Sequence, residues 1–226
     1  AQPRALAALL ALLVDAREPG RALPLVRRLA RSEGREPGPI EAGLWAEVAE
    51  VERAEGRGER ARKALRRALR RDPRCVRAWI ALGEVEAERG RLRKALAAWR
   101  RVPALDRRAG PQVYPRIAES YTAAGRTEAF EAWLQALVEA QPDDLAARLA
   151  LARALSARGA TDEAAAALHA LLERAPDALP AHVALGRLLR GAGRDGEAAR
   201  AYDGLLDALE RRSDRLPSED VGDAFA

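Results

Sequence analysis

The chain has 226 residues, of which 48% are apolar and 32% are charged, a composition typical of a folded protein and not of a disordered one. Its formal charge of +5 and pI of about 10.1 would suggest a nucleic-acid or anionic-membrane partner. We discount that suggestion for two reasons. The basic residues are interleaved with nearly as many acids. Almost all of the basic residues are arginine, which is the bias that GC-rich codon usage would produce. The single cysteine, Cys75, excludes a disulfide framework within this chain and favours a reducing compartment.

The first apolar stretch, residues 5–14, is shorter than the about 20 residues that a transmembrane helix needs. It also lacks the form of a signal peptide. The sequence begins without methionine, so we expect a fragment or a processed form.

Two segments within residues 44–107 superimpose at a shift of 34 residues. Each predicts an amphipathic helix, a turn at a glycine and a second amphipathic helix. A period of 34 with an aromatic residue, a turn glycine, a small alanine and a closing proline resembles the tetratricopeptide repeat (TPR). The pairs that coincide are Trp45 and Trp79, Glu50 and Glu84, Glu52 and Glu86, Gly56 and Gly90, Ala61 and Ala95, and Ala64 and Ala98.

The turn glycine sets the register of the whole chain. It recurs at Gly20, Gly56, Gly90, Gly125, Gly159 and Gly193, at spacings of 34 to 36 residues. We therefore predict an all-α solenoid of six TPR helix pairs, and the resemblance implies a right-handed superhelix. The predicted repeats are residues 3–35, 42–74, 75–109, 111–143, 144–176 and 177–212, followed by a flexible acidic tail at residues 213–226.

Some positions predict local features of these repeats. In repeat one we expect helices at residues 3–17 and 21–32, and a hinge at the connection 34–39. Phe130 occupies a position that is alanine in other repeats, so the two helices of repeat four should be spread or offset. Close helix crossings are expected at small residues in the first helix of each pair, namely Ala49, Gly83, Ala118, Ala152 and Gly186.

The sequence shows no catalytic constellation. His169 and His182 are the only histidines, and neither has a cysteine, histidine or serine partner at a useful spacing. His182 stands at the position of Trp45 and Trp79, where a packing role is expected. There is no phosphate-binding glycine motif. We therefore predict a protein that is not an enzyme and that holds no metal and no cofactor in this chain.

The helix at residues 59–71 carries seven basic residues, a pattern that would suit phosphate binding. No aromatic residue is interleaved with them for base stacking. We therefore prefer a solvated outer face, which could also lie near an anionic membrane surface, and we predict no nucleic-acid partner.

The first helix of each pair should line a concave groove, as the resemblance to TPR proteins implies. The groove positions carry acids in repeats two to four and arginines in repeats five and six, which predicts a groove that runs from acidic to basic. Such a groove suits a protein segment with the opposite order of charge. The predicted partner-binding residues are Glu50, Arg53, Glu84, Glu88, Glu119, Thr122, Arg153, Arg187 and Arg190.

Three stretches resemble a more specific family, that of lipopolysaccharide assembly protein B of Gram-negative bacteria. They are residues 24–51, residues 68–78 with Leu82, Gly83 and Gly90, and residues 112–137, so the resemblance covers roughly residues 20–175. The family's N-terminal membrane anchor and four-cysteine, metal-binding rubredoxin-like knuckle have no counterpart in this sequence. The asparagine clamp by which some TPR domains hold a C-terminal carboxylate is excluded because the chain has no asparagine.

This resemblance implies a non-catalytic adaptor at the cytoplasmic face of the inner membrane. It would bring the deacetylase of the lipid A pathway to a membrane-bound AAA+ protease and so limit lipopolysaccharide production. Two alternatives stay open: a generic bacterial TPR scaffold of a pilus or exopolysaccharide secretion complex, and a regulatory TPR segment of a larger enzyme.

Overall fold

The computed structural model describes Ala8, residues 19–32, Gly34 and residues 36–213. These residues form helices and short connections and contain no strand, so the predicted all-α class is confirmed. The chain divides into two compact units, residues 1–113 and residues 114–226.

The first unit contains six of the described helices and one 3-10 turn. They are α1 (Pro19–Ser32), α2 (Pro37–Ala54), α3 (Gly58–Arg71), α4 (Val76–Glu88), α5 (Leu92–Trp99), α6 (Val102–Leu105) and the 3-10 helix Arg107–Gln112. Helices α2 and α3 pack together as one pair, and α4 and α5 as the next.

The second unit contains the other six described helices. They are α7 (Tyr114–Ala123), α8 (Thr127–Ala140), α9 (Leu145–Ala157), α10 (Thr161–Arg174), α11 (Leu179–Gly191) and α12 (Asp195–Ser213). Here α7 pairs with α8, α9 with α10, and α11 with α12. Five of the predicted helix pairs are thus present in the described residues.

Five of the six predicted turn glycines do join the two helices of a pair. Gly56, Gly90, Gly125, Gly159 and Gly193 have φ between 64° and 84°, the left-handed region in which glycine pays no steric cost. After each of them the next residue donates its N–H to the carbonyl five residues earlier, as Arg57 does to Glu52 at 2.9 Å. This bond closes the end of the first helix, which explains why glycine recurs there.

The prediction for repeat one is wrong at Gly20. That residue lies inside α1, which begins at Pro19, because proline suits the first position of a helix, where its missing N–H costs nothing. The positive φ comes at Gly34 instead, at 64°. The predicted helix at residues 3–17, apart from Ala8, and the predicted tail at residues 213–226, apart from Ser213 at the end of α12, lie outside the described residues.

Helix α2 begins at Pro37, five residues before the predicted start of repeat two. Pro37 and Pro39 both fall in its first turn, where no N–H is needed. The break predicted at residues 34–39 is therefore shorter than expected. The connection between α1 and α2 spans residues 33–36, the same length as the connection between α3 and α4.

Pro103 divides the second helix of repeat three, which the periodicity had predicted as continuous. Helix α5 ends at Trp99, and α6 begins three residues later, with Pro103 in its first turn. A proline ring inside a longer helix would clash with the carbonyl four residues earlier, here that of Trp99. At the break Arg101 donates to Ala98, a tighter bond than the helical one, at 3.2 Å.

The core is built mainly from alanine, with leucine and valine. Two helix pairs cross at a glycine, where no side chain separates the helices. A Cβ at Gly83 would overlap the indole ring of Trp99, and one at Gly186 would overlap the ring of Tyr202. The predicted close crossings are thus confirmed at these two glycines. Phe130, by contrast, is buried between Tyr121 and Trp133, with ring centroids 5.8 and 6.0 Å away.

Candidate protein-binding faces

Four of the predicted groove residues form one charged cluster in the first unit. The Arg53 guanidinium on α2 lies 3.1 Å from Glu50, and 3.4 and 2.8 Å from Glu84 and Glu88 on α4. The hydrogen bond to Glu88 raises the pKa of Arg53 above its ordinary value. One guanidinium thus serves three carboxylates, which leaves the cluster with a formal charge of −2.

This cluster is open to a partner. Glu88 is 52% exposed, whereas the Glu84 side chain is 18% exposed. A second pair, between Glu47 on α2 and Arg77 on α4, joins the same two helices. The arrangement offers carboxylate oxygens to a basic side chain, and Arg53 is already occupied by the acids around it.

In the second unit, Glu119 and Thr122 lie three residues apart on α7, and both are exposed. Their spacing places them on one side of the helix. Glu119 makes no ion pair with the residues that the structure describes. These two residues therefore offer an acceptor and a hydroxyl on the surface of α7.

A pocket of about 590 Å³ opens between α9 and α11. Arg153 and Arg187 line it, while Arg190 lies exposed one turn beyond Arg187. None of the three arginines has an ion-pair partner in the described part of the chain. The other lining residues are mostly apolar: Ala152, Ser156, Leu168, Leu179, Pro180, Val183, Ala184 and Leu188.

The sequence predicted the arginines of this pocket but not its apolar floor. Val183 and Ala184 precede Arg187 by four and three residues, so all three face the same side of α11. This spacing was readable from the sequence. Only the structure shows that this side of α11 is open and not packed against another helix.

A repeated hydrogen bond sets the start of the first helices. The side chains of Trp79, Arg148 and His182 each bond the carbonyl oxygen of the proline six residues earlier, at 2.8, 2.9 and 2.8 Å. His182 is buried, in agreement with the predicted packing role. The imidazole ring of His182 replaces the indole ring of Trp79, and the hydrogen bond to the proline carbonyl is kept at the start of α11.

Tyr114 of α7 makes a different hydrogen bond, one to a buried carboxylate. Its hydroxyl donates to Oδ2 of the buried Asp144 at 3.0 Å, while Oδ1 of Asp144 accepts from the Ala147 N–H at 2.9 Å and caps α9. Burial, and next the negative charge of Asp144, raises the pKa of the Tyr114 hydroxyl. This pair fixes the start of the helix that carries Arg153.

In the first unit, tryptophans and a buried acid hold the helix pairs together. The guanidinium of Arg67 lies 4.8 Å from the Trp45 ring centroid, and Arg101 repeats this contact on Trp79 at 5.0 Å. The buried Glu41 of α2 accepts from Arg27 of α1 and pairs with Arg71 of α3, both at 2.9 Å.

The described residues contain no group of three or more histidines, cysteines and acids that could hold a metal ion. Cys75 is half-buried, and burial raises the pKa of its thiol. No helix among the described residues combines the length and the apolar composition that crossing a bilayer requires.

The family model for the tetratricopeptide repeat matches residues 49–112 and 149–213, more than half of the chain. Together with the helix pairs and their turn glycines, this match shows that the chain belongs to the tetratricopeptide repeat family. Proteins of this family are typically interaction scaffolds and not enzymes. None of the curated proteins compared with the chain is similar to it at a significant level.

Solved structures of bacterial proteins share the fold. BtubC from P. vanneervenii has a TM-score of 0.59 and 16% identity, over 92% of this chain and 94% of that one. A tetratricopeptide repeat protein from Parabacteroides merdae has a TM-score of 0.51 and 17% identity, over 92% and 80%. MamA from Desulfovibrio magneticus has a TM-score of 0.51 and 18% identity, over 77% and 97%. At these identities the likeness concerns the fold alone.

Proposed function

We propose that the chain is a non-catalytic scaffold that binds a segment of another protein through the exposed sides of its first helices. The observation that supports this most is the pocket between α9 and α11. It combines an apolar floor with two arginines, Arg153 and Arg187, that are not engaged elsewhere in the described part of the chain. Pockets with an apolar floor and a few convergent polar groups are the usual form of a binding site.

The chemistry of this pocket defines what it accepts. An apolar side chain would replace water on Val183 and Ala184, and a neighbouring carboxylate would pair with Arg153 or Arg187 in a bidentate geometry. The acidic cluster around Arg53 in the first unit would accept a basic side chain. We propose that Glu119 and Thr122, together with Arg190, contribute contacts to the same partner.

The more specific proposal is an adaptor that limits lipopolysaccharide synthesis by bringing the lipid A pathway deacetylase to a membrane AAA+ protease. The resemblance of residues 24–51, residues 68–78 with Leu82, Gly83 and Gly90, and residues 112–137 to lipopolysaccharide assembly protein B supports it. In that role the protein would work at the cytoplasmic face of the inner membrane of a Gram-negative bacterium, anchored through a segment outside this chain. The alternative is a TPR scaffold of a pilus or exopolysaccharide secretion complex.

A pull-down at physiological salt separates the two. The immobilised chain is incubated with the purified deacetylase and, separately, with the cytoplasmic domain of the protease. Saturable retention of either supports the adaptor. Retention of neither contradicts it and favours the general scaffold.

Variants then test the pocket. In Arg153→Glu/Arg187→Glu we expect the affinity for a retained partner to fall at least about tenfold, since two charge-assisted contacts become repulsive. Arg174→Glu/Arg212→Glu is the matched control, because both arginines are exposed in the same unit and neither lines the pocket. Equal losses in the two variants would show that overall charge, and not the pocket, drives binding.

Glu84→Lys/Glu88→Lys tests the first unit in the same way. We expect weaker partner binding with unchanged helicity by circular dichroism, because Glu88 is exposed and Glu84 is partly exposed on α4. An unchanged affinity would remove the acidic cluster from the binding site.

A further inference from the structure

Charge is divided unevenly between the two units. Residues 1–113 hold 26 of the 39 basic residues and 15 of the 34 acidic ones, which gives a formal charge of +11. Residues 114–226 hold 13 basic and 19 acidic residues, which gives −6. The small net charge of the whole chain thus conceals two units of opposite sign, which attract each other between copies.

Helix α3 presents a basic stripe. Lys63, Arg66 and Arg70 follow one another at spacings of three and four residues, so they lie on one side of the helix. All three are exposed, and none makes an ion pair with the residues that the structure describes. They differ in this from Arg67 and Arg71 of the same helix, which contact residues of their own unit.

Helix α12 presents an acidic and apolar side. Leu206 and Leu209 are 58% and 44% exposed, the two most exposed large apolar residues of the described chain. Asp203 and Glu210 lie one turn before and one turn after Leu206, and Asp207 follows Asp203 by one turn, so these four residues share one side of the helix, whereas Leu209 is turned away from it; none of the three acids is ion-paired within the described part. This side of α12 therefore offers three carboxylates around one exposed leucine.

The two stripes match residue for residue when the helices run antiparallel. From Lys63 the basic residues follow at steps of three and four, and from Glu210 the acids recede by the same three and four to Asp207 and Asp203. Both stripes therefore span about 10 Å at 1.5 Å per residue. In this register Lys63 faces Glu210, Arg66 faces Asp207 and Arg70 faces Asp203.

We propose that the basic stripe of α3 in one copy binds the acidic, leucine-bearing side of α12 in a second copy. The long apolar stems of the arginines cover Leu206 while their guanidinium groups reach the acids. The contact joins two different surfaces, so it is head-to-tail and leaves one α3 and one α12 free at the ends. It is independent of the pocket between α9 and α11.

Sedimentation velocity over a range of protein concentrations tests this. We expect the mass to grow with concentration at low salt, and the association to weaken at least about tenfold between roughly 50 and 500 mM NaCl, because the contacts are between exposed charges. Lys63→Glu/Arg66→Glu/Arg70→Glu should abolish the growth. Combining it with Asp203→Lys/Asp207→Lys/Glu210→Lys in one chain should restore the growth, since the charges are exchanged and still match.

The control is Arg93→Glu/Lys94→Glu/Arg108→Glu, which changes the charge of the first unit equally at exposed residues outside the α3 stripe. It should associate as the unchanged chain does. A monomer at every concentration and salt, or a failure of the double charge exchange to restore association, would overturn the proposal. Binding of a monomeric chain to anionic vesicles or RNA through the α3 stripe would overturn it too and would assign the stripe to that partner.

Discussion

The close crossing of α4 and α5 is the packing feature that a single substitution tests most sharply. In Gly83→Ala the added Cβ would overlap the indole ring of Trp99, which is 3% exposed and donates to the Ile80 carbonyl at 3.2 Å. The ring is buried and hydrogen-bonded, so the added Cβ requires either the ring or the helix to shift.

The expected magnitude follows from three contributions. Overpacking in a core costs about 1–3 kcal/mol, and a weakened hydrogen bond of the Trp99 indole about 1 kcal/mol more. Alanine gains up to about 1 kcal/mol over glycine in a helix interior. The net loss is about 1–3 kcal/mol, and Gly83→Leu should lose more because its side chain is larger.

Gly43 supplies the matched control. It also lies inside a helix, α2, but a Cβ there would meet nothing within 4 Å. We therefore expect Gly43→Ala to stabilise the chain by about 0.5–1 kcal/mol through helix propensity alone.

Thermal unfolding followed by circular dichroism measures both variants. For a chain of this size 1 kcal/mol corresponds to a shift in Tm of about 2–4 °C. A lower Tm for Gly83→Ala with a higher Tm for Gly43→Ala is the expected pattern. An unshifted or raised Tm for Gly83→Ala would refute the close crossing and the repeat register that places it.

Three further predictions concern buried polar groups. Asp144→Ala should cost about 2 kcal/mol, measured by urea unfolding, because it removes the cap of α9 and leaves the hydroxyl of Tyr114 buried without its acceptor; a cost near zero would mean that the pair is not formed. The raised pKa of Tyr114 means that the folded chain holds this proton more tightly than the unfolded chain, so stability should fall as pH rises above about 10, and Tyr114→Phe should lack that part of the fall; identical pH profiles would contradict the assignment. Glu41→Ala should cost only about 1 kcal/mol, since Arg27 and Arg71 are each half-exposed and regain water, and a loss of several kcal/mol would show that both guanidinium groups depend on it.

The helix pairs were predictable because one physical requirement repeats along the chain. Each turn needs a residue with positive φ, and glycine marks it at Gly56 and at each later turn of the register. Gly20 misled the same reasoning, because a glycine that follows Pro19 can begin a helix as well as end one. Sequence spacing does not distinguish these two uses.

Other features depend on contacts that spacing does not encode. Pro103 divides a helix whose apolar periodicity continues through it. Arg53 was predicted as a groove residue, but only the structure shows that three acids already surround it. Similarly, the arginines of the second unit were visible in the sequence. The apolar floor of the pocket, which includes Val183, depends on which sides of the helices no other helix covers.

The central claim is that the exposed sides of the first helices bind a partner segment, and site-specific photo-crosslinking tests it most directly. A photoreactive residue replaces Ser156, which lines the pocket between α9 and α11, and in a second variant replaces Ala166, which is exposed on α10 and does not line it. The account predicts a discrete adduct with the partner from position 156, lost in Arg153→Glu/Arg187→Glu, and none from position 166. An adduct from position 166 alone, or one from position 156 that survives the charge reversal, would contradict it.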